Sequence, residues 1–138
     1  MPDAATIGDW TALGDQCEFV ARLIEPALGV SNITIQNAGF CVECLLKAHV
    51  MRQERLRVWP SRKQRPALYS HDLRLRVVLA GIKLDADDEL APSWHIVLQW
   101  DRNQGYDPDP VSEMVLSSFT TAAFGREGVA TWLRQKLT

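Results

Sequence analysis

The chain has 138 residues, 46% of them hydrophobic, with 15 Lys and Arg against 17 Asp and Glu for a formal net charge of −2. That length suits one domain with a real core, and no run approaches the roughly 18 apolar residues of a membrane span. Cys17, Cys41 and Cys44 form an odd set, and the first twenty residues carry Asp3, Asp9, Asp15 and Glu18 but no Lys or Arg, so a cytoplasmic protein with reduced thiols and no leader peptide is expected.

Helical periodicity predicts a first helix from about Asp9 to Leu28, with Trp10, Leu13, Cys17, Val20, Leu23, Ile24 and Leu28 on its apolar stripe. Pro26 falls in its last turn and Gly29 suits the exit. A second helix starts near Ser31 or Asn32, both good caps, and continues to about Gln53. The basic stretch from Leu56 to Tyr69 contains Pro60 and Pro66 and is predicted to be non-helical. A third helix opens at Ser70 as cap and stops at Gly81, a left-handed terminator. The acidic connector KLDADDELAP leads to Ser93 as cap of a short fourth helix, with Trp94, Val97, Leu98 and Asp101 on one face.

After the loop DRNQGYDPDP, Asp109 caps a helical region with Pro110 at its first position. This region carries Val111, Met114, Val115, Phe119 and Ala122, and Gly125 and Gly128 break it. The closing GVATWLRQKL packs Val129, Trp132, Leu133 and Leu137. The stretches IVLQW and RVVLA are short and have no turn-paired alternating partner, so the fold is read as all-α.

Charge is unevenly spread. From Lys47 to Arg76 nine Lys and Arg face only Glu54 and Asp72, a local balance of +7, while the rest of the chain sums to −9. One surface is therefore expected to meet an anion, with Arg57, Arg62 and Lys63 as nucleic-acid contacts; ordinary solvated loop charge is the plainer reading.

Within NAGFCVECLLKAHV the second helix is apolar on nearly every side, which marks it as central or interfacial. Glu43 and Lys47 interrupt it four residues apart, acid first, the favourable order for a helical pair. Charges partly buried there need partners, either as a structural ion pair or as part of a site. Gly39, one turn earlier, costs about 1 kcal/mol in a helix and makes sense where another group approaches closely. Cys41 and Cys44 form a CxxC in mid-helix, away from the N-terminal dipole that activates redox pairs, and His49 alone does not complete a zinc site; both are assigned to core packing. No metal site and no cofactor motif is read anywhere in the chain.

His71 falls at the predicted start of the third helix, six residues after Arg65. The positive end of a helix dipole disfavours imidazolium, which leaves a neutral base able to accept a proton. The free amides of a helix start and a nearby guanidinium both favour a phosphate. Together these parts suffice for metal-free RNA cleavage, in which a base deprotonates the 2′-hydroxyl and a cation steadies the charged phosphorus centre. A local structural role for His71 is the alternative.

The ordered set AGFCVECLLKA, a basic linker, LYSHDLRLRVVLAGI, the spaced aromatics Trp94, Trp100 and Tyr106, and a closing GVATWL resembles the HEPN family (higher eukaryotes and prokaryotes nucleotide-binding) over about residues 10 to 137. The resemblance implies a four- or five-helix up-and-down bundle, frequently dimeric. Many ribonuclease members carry an arginine, four to six residues and then a histidine, and two copies of the motif meet across the dimer. Arg65 and His71, with five residues between them, match that spacing. Pro66 departs from the polar residue usual after the arginine, and Leu73 stands where toxins paired with a nucleotidyltransferase often have tyrosine.

The leading expectation is a homodimeric HEPN-like endoribonuclease, toxin-like or defence-related, that needs no metal. His71 is its general base or acid, Arg65 its phosphate ligand, and Asp72, Glu43 and Lys47 orient them. The alternative is a non-catalytic HEPN module that binds a nucleotide, RNA, a nucleotidyltransferase or an antitoxin through the same basic face; a purely structural dimer is the third reading. None involves a membrane.

Overall fold

The computed structural model describes residues 3–23 and 31–138. Among these residues six α-helices follow in order: α1 (Ile7–Leu23), α2 (Ser31–Gln53), α3 (Leu73–Leu79), α4 (Ala91–Val97), α5 (Glu113–Phe124) and α6 (Val129–Leu137). Two short 3-10 turns, Pro66–Tyr69 and Arg102–Tyr106, complete the regular structure. The fold is all-α, and no described helix is long and apolar enough to cross a membrane. The predicted end of the first helix, with Pro26 and Gly29, lies outside the described residues.

The organising element is α2. From Ala38 to Met51 only Phe40 and Lys47 are less than fully buried, because α1, α3, α5, α6 and the second 3-10 turn all pack around it. The expected all-round apolar helix is therefore central. Its apolar surface is covered within one chain, so it supplies no physical argument for a dimer. Both CxxC thiols lie in this core: burial pushes Cys41 up to about 12, and Cys44 is pushed up first by its hydrogen bond to Cys17 and then by burial.

Close approach, rather than bulk, decides how α1 docks. Its buried positions are Trp10, Gly14 and Ala21, with Cys17 half-buried, whereas the predicted stripe members Leu13, Val20 and Leu23 are exposed. A Cβ on Gly14 would lie 3.4 Å from the Cys41 carbonyl and 3.5 Å from the Cys44 Cβ. Small residues let the two helices come together and turn the larger aliphatics outward.

Several caps also differ from expectation. Asp72, not Ser70, caps α3: its carboxylate accepts from the Arg74 amide at 2.9 Å, while the Ser70 hydroxyl accepts from the Asp72 amide at 3.1 Å. His71 thus sits in the lead-in, ahead of the helix. Gly81 stops the segment with φ +70°, as its position suggests. Ser93 lies inside α4 and donates to the Glu127 carbonyl at 3.1 Å. Ser112 caps α5 in place of Asp109, accepting from the Val115 amide at 3.2 Å. The core face of α5 is Leu116, Phe119, Ala122, Ala123 and Phe124, which leaves Met114 and Val115 exposed.

The basic stretch between α2 and α3 is tied down along its length. Trp59 is buried and its amide donates to the Ala5 carbonyl at 2.7 Å. Ser61 and Gln64 exchange amide–side-chain hydrogen bonds at 3.0 and 3.2 Å, and the Tyr69 hydroxyl donates to the Pro60 carbonyl at 2.7 Å.

Two measurements probe this core. Gly39 lies against Trp100, where an added Cβ would stand 2.0 Å from the indole Cε2. Gly→Ala in a helix ordinarily gains about 1 kcal/mol; here Gly39→Ala is expected to lose about 1–3 kcal/mol in urea unfolding as Trp100 is displaced. An unchanged or raised stability would refute that seat.

His49 is buried and donates from Nε2 to the Leu133 carbonyl at 2.8 Å; burial holds its pKa below the ordinary 6.5, against that bond. Between its folded value and 6.5 the unfolded chain binds a proton that the folded chain does not, so stability rises with pH across that window and falls as acid is added. His49→Gln, which keeps an N–H donor, should flatten the dependence of the urea midpoint on pH there.

Candidate functional site

Glu43 projects from the middle of α2 toward the segment that leads into α3, with only 2% of its surface exposed. A carboxylate so placed must find compensating partners, and it has three. Its Oε1 is 2.6 Å from His71 Nδ1 and 3.7 Å from Arg76 Nε, and its Oε2 is 3.9 Å from Lys47 Nζ. The helical pair anticipated between Glu43 and Lys47 is thus the loosest of the three contacts, and the histidine is the tightest.

Arg76 joins the two sides of the site. Its guanidinium is 1% exposed, and Nη2 donates to the Leu68 carbonyl at 2.9 Å and to the Ser70 carbonyl. One buried cation therefore gathers the carboxylate of α2 and the backbone immediately before His71. Its Nε and Nη1 have no hydrogen-bond partner, and burial lowers its pKa while Glu43 acts the other way. Lys47 rests its ammonium over the Trp10 ring at 4.2 Å and the Trp59 ring at 5.8 Å. Burial holds that amine below its ordinary range, with Glu43 opposing.

The other ring nitrogen, His71 Nε2, is 2.7 Å from Arg102 Nη1. A guanidinium can only donate, so Nε2 accepts and carries a lone pair; Nδ1 then bears the proton and donates to Glu43. The two contacts thereby define which ring nitrogen donates and which accepts. Arg102 stands at the start of the second 3-10 turn, where the Asp101 carboxylate accepts from the Asn103 amide at 2.9 Å. Its guanidinium lies 5.7 Å from the centre of the Phe40 ring, which meets Trp100 edge-on at 5.4 Å and His71 at 6.4 Å.

These groups border an open cleft of about 450 Å³, lined by His71, Asp72 and Arg74 on one side and Trp100, Asp101 and Arg102 on the other. Of the residues singled out by sequence, Glu43, Lys47 and His71 are brought together, and Asp72 reaches the cleft while capping α3. Arg65 is not brought to His71. It forms a two-pronged pair with Glu54, at 3.0 and 3.1 Å, and does not line the cleft. Arg57, Arg62 and Lys63 are exposed on the tied-down loop, with Arg62 stacked 5.1 Å from the centre of the Tyr69 ring.

The arginines that sequence reasoning missed are Arg74, Arg76 and Arg102. Arg102 is 31 residues from His71 and belongs to an acidic part of the chain, so local spacing carries no sign of it. No group of three or more His, Cys, Asp or Glu among the described residues is placed to hold a metal ion. Comparison of the chain with models of known protein families, with curated proteins and with solved structures gives no match.

Arg76 and Glu43 are expected to be strongly coupled. Arg76→Met should cost about 3–5 kcal/mol, because it removes compensation from a buried carboxylate. Combined with Glu43→Gln, the loss should be smaller than the sum of the single losses in a urea double-mutant cycle. Strict additivity would show that the pair does not interact.

Proposed function

We propose that the protein is a HEPN-like endoribonuclease that works without a metal ion, with His71 as base and Arg102 as phosphate ligand. The reading rests on one arrangement: Glu43 holds His71 Nδ1, while Nε2 meets Arg102 at the border of an open cleft that Arg74 also lines. The chain of residues resembles HEPN ribonucleases in the motifs quoted above, with Arg102 taking the part that spacing would give to Arg65.

In this mechanism an RNA phosphate enters the cleft and draws Arg102 from the imidazole. Nε2 takes the proton of the 2′-hydroxyl, and the 2′-oxygen attacks the adjacent phosphorus. Glu43 stabilises the imidazolium that forms, as a buried carboxylate does for a histidine base. Arg102, with Arg74 nearby, offsets the charge that builds on the phosphoryl oxygens. The P–O5′ bond breaks and the leaving oxygen takes up a proton, giving a 2′,3′-cyclic phosphate and a 5′-hydroxyl. The dimer implied by the resemblance would set two such clefts near each other, with the second His71 available to protonate the leaving group.

One observation favours the alternative, a non-catalytic module that binds RNA, a nucleotide or a partner such as a nucleotidyltransferase. Arg102 occupies the nitrogen that a base must keep free. Tight binding of RNA without cleavage would decide for that module.

The test is purified protein with a mixed RNA pool and end-group analysis. His71→Ala should lower cleavage by about 10²–10⁴-fold with fold intact. Arg102→Ala should be similarly damaging and Arg102→Lys a poor substitute, since an ammonium lacks the planar fork. Arg65→Ala should still cleave, and EDTA should not matter. Equal cleavage by wild type and His71→Ala would overturn the mechanism.

A further inference from the structure

A second pocket, of about 350 Å³, opens beside the His71–Arg102 cleft and shares two residues with it, Gln99 and Trp100. Its walls are apolar: Trp100 and Phe119 from the core, Ile96 from α4, and Val115 with Met114 from the start of α5. Met114 and Val115 are 79% and 49% exposed although both are large apolar side chains, so this end of α5 presents hydrophobic surface that the fold itself does not use. Its remaining lining includes the neutral polar side chains Gln99, Gln104 and Ser118. No described residue hydrogen-bonds the side chains of Gln104 or Ser118.

The two cavities differ in chemistry in a way that matches the two ends of one molecule. The cleft offers guanidinium groups and an imidazole, which suit a phosphate. The pocket offers aromatic and aliphatic walls for a flat apolar face, together with amides able to both donate and accept at a heteroaromatic edge. Trp100 and Gln99 line both, so the two cavities adjoin across these side chains. We infer that the pocket between α4 and α5 is a nucleobase subsite: it takes the base of the nucleotide whose phosphate lies against Arg102. The inference rests on the reading of the cleft as a phosphate site and adds to it the part of the substrate that is recognised.

The geometry also separates two tasks. Apolar walls accept any base, because every base has a face to bury. The Gln99 amide is paired with His95 at 3.2 Å, so Gln104 is the lining amide that sets which base is preferred. A purely electrostatic site would show neither property.

The experiment measures calorimetric binding of the four nucleoside 5′-monophosphates and of ribose 5-phosphate to the full chain. None of these can undergo the proposed cleavage, so binding is read apart from activity. At least one nucleotide should bind about tenfold or more tightly than the base-free sugar phosphate. Ser118→Trp, at an exposed position on α5, fills the pocket; it should abolish that advantage and leave ribose 5-phosphate affinity unchanged. Gln104→Ala should keep the advantage but level the four bases. Arg102→Ala should weaken nucleotides and ribose 5-phosphate alike.

Equal affinity with and without a base overturns the subsite, as does an advantage that survives Ser118→Trp or the absence of binding by any of the five ligands. The two readings fail separately. A base advantage in a protein that cleaves no RNA keeps the pocket and removes the nuclease. RNA cleavage without a base advantage keeps the nuclease and removes the pocket.

Discussion

Everything at the centre of this protein answers to one carboxylate. Glu43 sits in the middle of the most buried helix, and taking an ionised carboxyl out of water costs several kcal/mol unless charge and hydrogen bonds are returned to it. Lys47 comes from the same helix, Arg76 from α3, and His71 from the segment before α3. Each is drawn in by the same demand, and in meeting it Arg76 also grips the Leu68 and Ser70 carbonyls. The path of the chain into His71 is thus set by electrostatics, while the apolar residues around it set the distance between helices.

Packing and chemistry meet at Trp100. The indole lies directly on Gly39, one turn of α2 before Glu43, and its ring contacts Phe40, which in turn meets His71 edge-on. The same Trp100 forms a wall of both cavities. A missing methyl group on α2 is therefore what allows the turn carrying Arg102 to stand where its guanidinium reaches the imidazole.

How much of this the sequence disclosed depends on the range of the interaction. The central helix was legible because an unbroken apolar stretch with two charges leaves few alternatives, and Gly39 rightly signalled a close approach. Gly81 was legible because a left-handed stop is a local matter. The buried face of α1 was not, since Gly14 and Ala21 acquire their value only once α2 is beside them. Caps are ambiguous in the sequence where several short polar side chains compete, as at Ser70 and Asp72 or at Asp109 and Ser112. Of the candidate cleft, His71 and Glu43 stand out in the sequence, whereas Arg65, which spacing points to, pairs with Glu54, and Arg102 is joined to His71 only by the fold.

The basic stretch between α2 and α3 has a consequence in configurational entropy. A flexible cationic tail must be ordered when it meets a polyanion, and each long side chain and backbone residue it immobilises subtracts from affinity. Here the backbone is already held by Trp59 in the core, by the Ser61–Gln64 exchange, by the Arg65–Glu54 pair and by the Tyr69 hydroxyl on Pro60. The loop is a stiff comb, with Arg57, Arg62 and Lys63 exposed along it as teeth. Arg65, through its pair with Glu54, is one of the staples that keeps it stiff.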